Sequence, residues 1–260
     1  MQNQPPNKDK RPHVLTISSG KGGVGKSFLA ANLGYALSES SNVLVWDADM
    51  YLPNQHLILG IEPPVRLNEA YYGNVDVESV KFPVKENLHL LADISSENKD
   101  HDFDPSLFQK VYDQIINDSS IDFIIIDSPA GASMEVIQCC SFADTVGIVI
   151  NDEPTSLLDA YGLIKILMKF IEPENLRLLI NNVIDLEDAD EVSGKLNLAT
   201  KNFLGTKLDI LGFVPYDRSV RQSIIYQEIL LRSEPDNEVS KSIFEISRRI
   251  ADKEKVYAAG

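Results

Sequence analysis

The sequence is poor in cysteine, has few basic residues for its acidic content, and lacks long apolar runs. Its two cysteines, Cys139 and Cys140, are adjacent, and neighbouring cysteines rarely form a disulfide or offer metal-ligand spacing. We expect both to be reduced core thiols. No apolar run approaches the ~20 residues that a membrane helix needs. Residues 1–12 are polar and proline-rich, so we expect a short disordered arm without a secretory signal.

Acidic residues outnumber basic ones, 39 against 24, and the formal net charge is −15. Non-specific DNA binding draws its free energy largely from the neutralisation of phosphates by Lys and Arg. The charge balance therefore argues against non-specific DNA as a partner.

Short apolar runs alternate along the chain with segments of helical spacing. Continuous apolar runs are typical of strands buried on both faces of a parallel sheet. We predict an α/β fold, a single-domain doubly wound, mostly parallel sheet with helices on both faces. The domain is expected at 13–253, with a short tail at 254–260, and residues 60–105 as a surface excursion with a strand near Leu88–Leu91. The other predicted strands are Val14–Ile17, Val43–Trp46, Phe123–Ile126, Thr145–Ile150, Leu178–Ile180 and Ile210–Val214.

Apolar residues at helical spacing form stripes that we predict to face the core. The stripe nearest the end of the sequence, which runs from Val239 to Ile250, could instead belong to a membrane-binding helix, but its position favours the final helix of the domain. The stripes comprise Phe28, Ala31, Leu33 and Leu37; Leu107, Val111 and Ile115; Leu158, Tyr161, Ile164, Leu167 and Met168; and Val239, Ile243, Ile246 and Ile250.

A phosphate-binding motif, G-x-x-x-x-G-K-[ST], follows the first predicted strand and opens a helical pattern. Glycines let backbone N–H groups turn toward phosphate oxygens, and the helix directs its positive end to the same place. Lys26 is predicted to reach the β- and γ-phosphates, and the Ser27 hydroxyl to ligate Mg²⁺. The predicted nucleotide-binding residues here are Gly20, Lys21, Gly22, Gly23, Val24, Gly25, Lys26, Ser27 and Phe28.

Carboxylates end two further predicted strands. Asp127 follows Phe123–Ile126, where a Walker B aspartate holds Mg²⁺, and Ser128–Gly131 is interpreted as a mobile turn near the γ-phosphate. Asp47 and Asp49 follow the second strand, on the same side if the chain stays extended. Either could orient a water for attack on the γ-phosphate.

The chain resembles the MinD/ParA family of deviant Walker A ATPases over residues 13–251. SSGKGGVGKS (18–27), WDADMYLPN (46–54) and DSPAG (127–131) carry this resemblance. The segments 151–167, 178–183 and 211–224 are most similar to the FlhG (FleN) branch, which regulates flagellar number and placement.

The resemblance implies catalytic roles. Lys21 matches the signature lysine that reaches a partner's phosphates across an ATP-bound homodimer, and Lys26 matches the second loop lysine. Asp49 matches the switch I aspartate that positions the attacking water. Asp47 matches its companion near Mg²⁺, and Asp127 the Walker B residue. The implied cofactors are ATP or ADP with Mg²⁺, and the implied reaction is slow, partner-stimulated ATP hydrolysis.

The resemblance also implies binding surfaces and partners. Asn181, Pro215 and Asp217 match positions that line the adenine, and Glu153 falls near the dimer interface. The implied partners are an FlhF-like GTPase, a flagellar transcription activator or rotor-switch proteins. We expect a cytoplasmic location with transient visits to the inner membrane or cell pole, although no C-terminal amphipathic membrane helix follows the last stripe.

Departures from the family pattern leave alternatives open. Tyr51 replaces a glycine of switch I that would permit a positive φ, and Pro53 adds rigidity. A weakly hydrolysing nucleotide-binding scaffold is therefore one alternative. A positioning ATPase for DNA segregation or the division site is another. Iron–sulfur carriers of the same superfamily carry C-x-x-C, which this sequence lacks.

Overall fold

The computed structural model describes residues 11–65, 67–71, 74–92 and 104–257. Most of the predicted arm at 1–12 therefore lies outside the described residues. The strands of the described parts are β1 (His13–Ser19), β2 (Val43–Asp47), β3 (Phe82–Lys85), β4 (Leu88–Leu91), β5 (Phe123–Ala130), β6 (Thr145–Ile150), β7 (Leu176–Val183) and β8 (Asp209–Pro215).

Helices connect these strands, and one short 3-10 turn at Pro173–Asn175 precedes β7. The helices are α1 (Lys26–Leu37), α2 (Gln55–Ile58), α3 (Leu67–Tyr71), α4 (Val77–Val80), α5 (Pro105–Ile115), α6 (Met134–Ser141), α7 (Pro154–Leu167), α8 (Leu186–Leu204), α9 (Arg218–Tyr226), α10 (Leu230–Ser233) and α11 (Glu238–Tyr257).

The strands form one sheet in the order β3-β4-β2-β5-β1-β6-β7-β8. Every pairing is parallel except that of β3 with β4. The predicted doubly wound, mostly parallel α/β fold is thus confirmed. β1 lies in the interior of the sheet, with β5 on one side and β6 on the other. In such sheets ligands bind beyond the carboxyl ends of the strands where the strand order reverses.

Alternate residues of the inner strands face two different helix layers, and both layers are buried. In β2, Val45 packs with α1 and α11 on one face, whereas Trp46 packs with α3 and α5 on the other. Both side chains are fully buried. Burial on both faces is the physical reason why the strands have continuous rather than alternating apolar patterns.

The last apolar stripe packs against the core, as predicted. Val239, Ile243, Ile246 and Ile250 are all buried. A Cβ on Gly212 of β8 would lie 2.4 Å from Ile246 Cγ1, so this glycine lets α11 approach the sheet closely. The helix continues to Tyr257, past the domain boundary expected at 253. Within the part of the chain that the structure describes, none of the helices has the length and apolarity of a membrane span.

Two sequence-based expectations were wrong in part. Residues 60–105 do not form a mere surface excursion, because Leu67 and Tyr71 of α3 and Val80 of α4 are buried beneath the sheet. This region also contains β3, an antiparallel edge strand whose Pro83 is tolerated at an edge. On α7, Ile164 and Leu167 are buried as predicted, but Leu158 is 69% exposed.

Candidate nucleotide site

The loop between β1 and α1 is held in a fixed shape at its base. Gly23 and Gly25 adopt φ values of 80° and 97°, which favour glycine, and Gly25 is the N-cap of α1. The Ser19 hydroxyl donates to the Lys21 carbonyl at 2.7 Å, and the Gly131 N–H donates to the Ser19 carbonyl at 2.9 Å. The loop is therefore attached to the end of β5 before it turns into α1.

Two neighbouring elements press on this loop. A Cβ at Gly20 would lie 2.3 Å from the carbonyl carbon and oxygen of Asp159 in α7. On the other side, Asn181 Nδ2 donates to the Val24 carbonyl at 2.8 Å. The predicted site residue Asn181 is thus brought to the loop, at the end of β7. The next residue, Asn182, has φ 63°, and the β7–β8 register shifts there.

Lys26 and Ser27 begin α1 at the centre of this edge. Lys26 is only 8% exposed. Burial lowers the pKa of its ammonium group, while the nearby Asp127 and Asp49 carboxylates oppose that shift. The Phe28 side chain lies in the core, so a phosphate contact by this residue would come through its backbone N–H.

Asp47 and Asp127 occupy paired positions on the neighbouring strands β2 and β5. Both are 2% exposed. Burial, chiefly, raises the pKa of both carboxyls, and the charge of Asp127 further raises that of Asp47. The strand β5 continues to Ala130, so Ser128–Ala130 are sheet residues rather than the mobile turn that we expected.

Backbone donors engage both oxygens of Asp47. Its Oδ2 accepts hydrogen bonds from the N–H groups of Asn54 and Gln55 at 2.8 and 2.9 Å, and its Oδ1 accepts one from Asp49 at 3.2 Å. In this structure Asp47 therefore holds the loop 48–54 against the sheet. Its contribution to a metal site stays a prediction.

Asp49 lies in that loop, close enough to Lys26 for their charges to interact. Its Oδ1 accepts hydrogen bonds from the N–H groups of Tyr51 and Leu52 at 3.2 and 3.0 Å. Among the described residues, the non-glycine positions with positive φ are Asn182 and Gln227, so Tyr51 fits without a left-handed backbone. The glycine-to-tyrosine departure is accommodated by a turn that Asp49 closes.

Lys21, the candidate signature lysine, points toward the start of α7 in the same chain. Lys21 Nζ forms an ion pair with Glu153 and donates to Thr155 Oγ1 at 3.0 Å. The side chains of Lys21 and Glu153 are 35% and 52% exposed. The pairing with Thr155 was not predicted, because no local pattern relates residues more than 130 positions apart.

Gln55 is the second residue that sequence reasoning missed. It is fully buried, and its Nε2 donates to the Ser27 carbonyl at 2.9 Å and to Asp127 Oδ2 at 2.8 Å. Its position directly after the switch I segment was the available signal. The sequence around Gln55 does not indicate which groups its amide binds, because these acceptors lie on β5 and α1.

The remaining predicted residues, Pro215 and Asp217, lie at the carboxyl end of β8, beside the end of β7 that carries Asn181. Asp217 caps α9 by accepting a hydrogen bond from Ser219 N–H at 2.7 Å. The structure therefore brings all predicted site residues to one edge of the sheet.

A family model described as ParA, an NUBPL iron-transfer P-loop NTPase, matches residues 10–251. The chain belongs to the ParA family of P-loop NTPases. Antiactivator FleN of Pseudomonas aeruginosa is 29% identical over 242 residues, covering 91% of this chain and 85% of FleN. Flagellum site-determining protein YlxH of Helicobacter pylori is 28% identical over 245 residues, covering 92% and 82%. The chain is thus a ParA/MinD-type protein similar to flagellar regulators, as the sequence motifs predicted.

Solved structures of the family share the fold. The MinC:MinD cell division complex of Aquifex aeolicus contains a chain that superposes with a TM-score of 0.78 at 28% identity. The match covers 92% of this chain and 96% of that one.

The oxygen atoms at this edge suit a magnesium ion, which prefers oxygen ligands. Asp127 Oδ1 is buried and has no hydrogen-bond partner among the residues that the structure describes. Ser27 lies against the same carboxyl group. A buried carboxylate oxygen next to a P-loop serine fits the group that the family implies.

Proposed function

We propose that this chain is a Mg²⁺-dependent ATPase that dimerises around ATP and acts as a switch in the control of flagellar number or placement. One observation carries the proposal: Lys26, Ser27 and Asp127 converge beside a glycine loop at the start of α1. The names of FleN and YlxH, an antiactivator and a flagellum site-determining protein, support the flagellar assignment.

The loop and the first turn of α1 would bind the phosphates of ATP through backbone N–H groups and the helix dipole. Lys26 would contact the β- and γ-phosphates. Its ammonium group is already desolvated, so its attraction to a phosphate is stronger than in water. Ser27 and Asp127 would hold a magnesium ion, which when bound supplies positive charge against the phosphate oxygens.

Hydrolysis would need two further groups. Asp49 would orient the attacking water, and Lys21 would cross to the phosphates of a second protomer. To do so, Lys21 must leave Glu153. This ion pair is substantially exposed, and exposed pairs stabilise a fold only weakly, so a phosphate can replace Glu153 at little cost.

Partners follow from the dimer in this proposal. ATP would favour the dimer, which would present to partners a surface that the monomer lacks. The MinC:MinD complex is a case in which a relative binds a partner protein. For this chain we propose an FlhF-like GTPase, a flagellar transcription activator or rotor-switch proteins.

The iron transfer named in the family description has no matching thiol site among the described residues. Cys139 and Cys140 are fully buried, and burial raises the pKa of the Cys140 thiol to about 12. We therefore do not extend that activity to this chain.

Molar mass measured by light scattering tests the proposal. With Mg·ATP, Asp49→Ala should shift from 28.9 kDa to twice that mass, whereas Mg·ADP should leave it monomeric. Adding Lys21→Ala to that variant should abolish the dimer, whereas Lys195→Ala should not, because its ion pair with Glu191 lies on α8. ATP binding without any mass shift would refute the switch and support a nucleotide-binding scaffold. No ATP binding would refute the site itself.

A further inference from the structure

Gln55 connects three elements of the nucleotide site. Its backbone N–H holds Asp47 at the end of β2, and its Nε2 joins the carboxylate of Asp127 in β5 to the Ser27 carbonyl in α1. It is the first residue of α2, directly after the loop that contains Asp49. A movement of this loop would therefore be transmitted to Asp127 through one side chain.

The chemistry of the amide suits this task. A primary amide nitrogen carries two N–H donors, and here one serves a carboxylate while the other serves a backbone carbonyl. Both acceptors lie within 2.9 Å of Nε2. Hydrogen bonds to charged groups in buried sites are stronger than those between neutral groups, so the orientation of Asp127 depends strongly on this donor.

Two buried oxygen atoms at the nucleotide site accept no hydrogen bond from the residues that the structure describes. With Oδ2 held by Gln55, the other oxygen of Asp127 is buried without a protein partner in the described chain, and so is Gln55 Oε1. Residues that fix a metal-binding carboxylate are important, because their substitution typically lowers metal affinity ~10–100-fold.

We propose that Gln55 is a positioning residue that orients Asp127 for magnesium and couples this orientation to the loop 48–54. The inference rests on the proposed Mg·nucleotide function. It predicts that Gln55 affects the Mg²⁺-dependent part of nucleotide binding and leaves the Mg²⁺-independent part nearly unchanged.

The test uses Gln55→Met, which keeps the length and flexibility of the side chain but removes both donors. Binding of a fluorescent ADP analogue is titrated with Mg²⁺ and with EDTA. We expect the Mg²⁺ concentration at half-effect to rise ~10-fold or more, with affinity in EDTA within about twofold of wild type. Gln55→Asn, whose amide is one methylene too short to reach both acceptors, should change the Mg²⁺ midpoint in the same direction.

Asn197→Leu is the matched control. The Asn197 amide on α8 also joins two segments, through hydrogen bonds to the N–H and carbonyl of Leu208, the residue that precedes β8. This variant should lose stability in urea and keep the wild-type Mg²⁺ midpoint. If the folded Gln55 variants also keep that midpoint, Gln55 is merely structural and the inference is overturned. If the wild type shows no Mg²⁺-enhanced binding, the proposed function fails first, and the role of Gln55 with it.

Discussion

Gly20→Ala tests whether contact with α7 fixes the phosphate loop. The added methyl group would lie 2.3 Å from the Asp159 carbonyl carbon and 2.7 Å from the Ala160 nitrogen. Carbon atoms in good contact are ~3.5–4.0 Å apart. The obstacle is helix backbone, which cannot rotate away as a side chain could. The 2.3 Å separation is shorter than good contact by more than ~1 Å, so either the loop or α7 must move by about that difference.

Forced overpacking of this kind costs about 1–3 kcal/mol. With a urea m-value of about 2–3 kcal/mol/M, the unfolding midpoint of Gly20→Ala should fall by about 0.3–1.5 M. Nucleotide affinity should fall as well, because the displaced loop no longer aims its N–H groups at the phosphates. A loss of ~1.4 kcal/mol in binding would be tenfold in Kd.

Gly22→Ala is the matched control in the same loop. A Cβ at Gly22 would lie 4.0 Å from Ala130 Cβ, which is ordinary contact, and Gly22 does not have a left-handed φ. Both variants remove one glycine from the unfolded chain, so their difference isolates the contact with α7. Equal urea midpoints for the two variants would refute this account of the loop.

Two further predictions concern charge. Glu153→Gln should leave the free energy of unfolding nearly unchanged and lower the ATP concentration for half-dimerisation by up to about fivefold, because Lys21 is released. Glu191→Gln should leave this concentration unchanged in light scattering. The second prediction follows from the raised pKa values of Asp47 and Asp127. Between the ordinary carboxyl value of 3.8 and the raised folded values, the folded state holds more protons than the unfolded chain. Protonation of these carboxyls therefore stabilises the folded state at low pH. That stabilisation is lost as the pH rises through their folded pKa.

Asp127→Asn should therefore show a smaller loss of urea stability than the nucleotide-free wild type as the pH rises from the ordinary carboxyl value of 3.8 through the raised folded pKa. An equal or steeper loss in the variant would contradict the raised pKa of Asp127. For Glu153→Gln, an unchanged or higher ATP requirement would show that the ion pair does not restrain Lys21.

The sequence correctly predicted the features that depend on short local patterns. Continuous apolar runs located β6 at the residues predicted, Thr145–Ile150, and the P-loop motif identified the start of α1. It was less informative where burial comes from distant residues. α3 and α4 have weak local patterns, yet they are buried because they cover Trp46 and the neighbouring face of β2 and β5.

Leu158 shows the reverse error. Its helical spacing predicted a core position, but the groove between α7 and α8 leaves it exposed near Phe203. Spacing indicates which side chains share a helix face. The width of the face that becomes covered depends on how closely the neighbouring helix approaches, which a one-dimensional pattern does not contain.

The sequence by itself determined the fold class, the phosphate loop and the strand-end carboxylates, because each depends on residues within one short segment. Tertiary structure alone decided that Lys21 pairs with Glu153 and Thr155, and that Gln55 joins Asp127 to α1. These contacts join residues 28 to 134 positions apart. Their existence depends on sheet order, which places β5 beside both β1 and β2 and so brings the ends of separate segments to one edge.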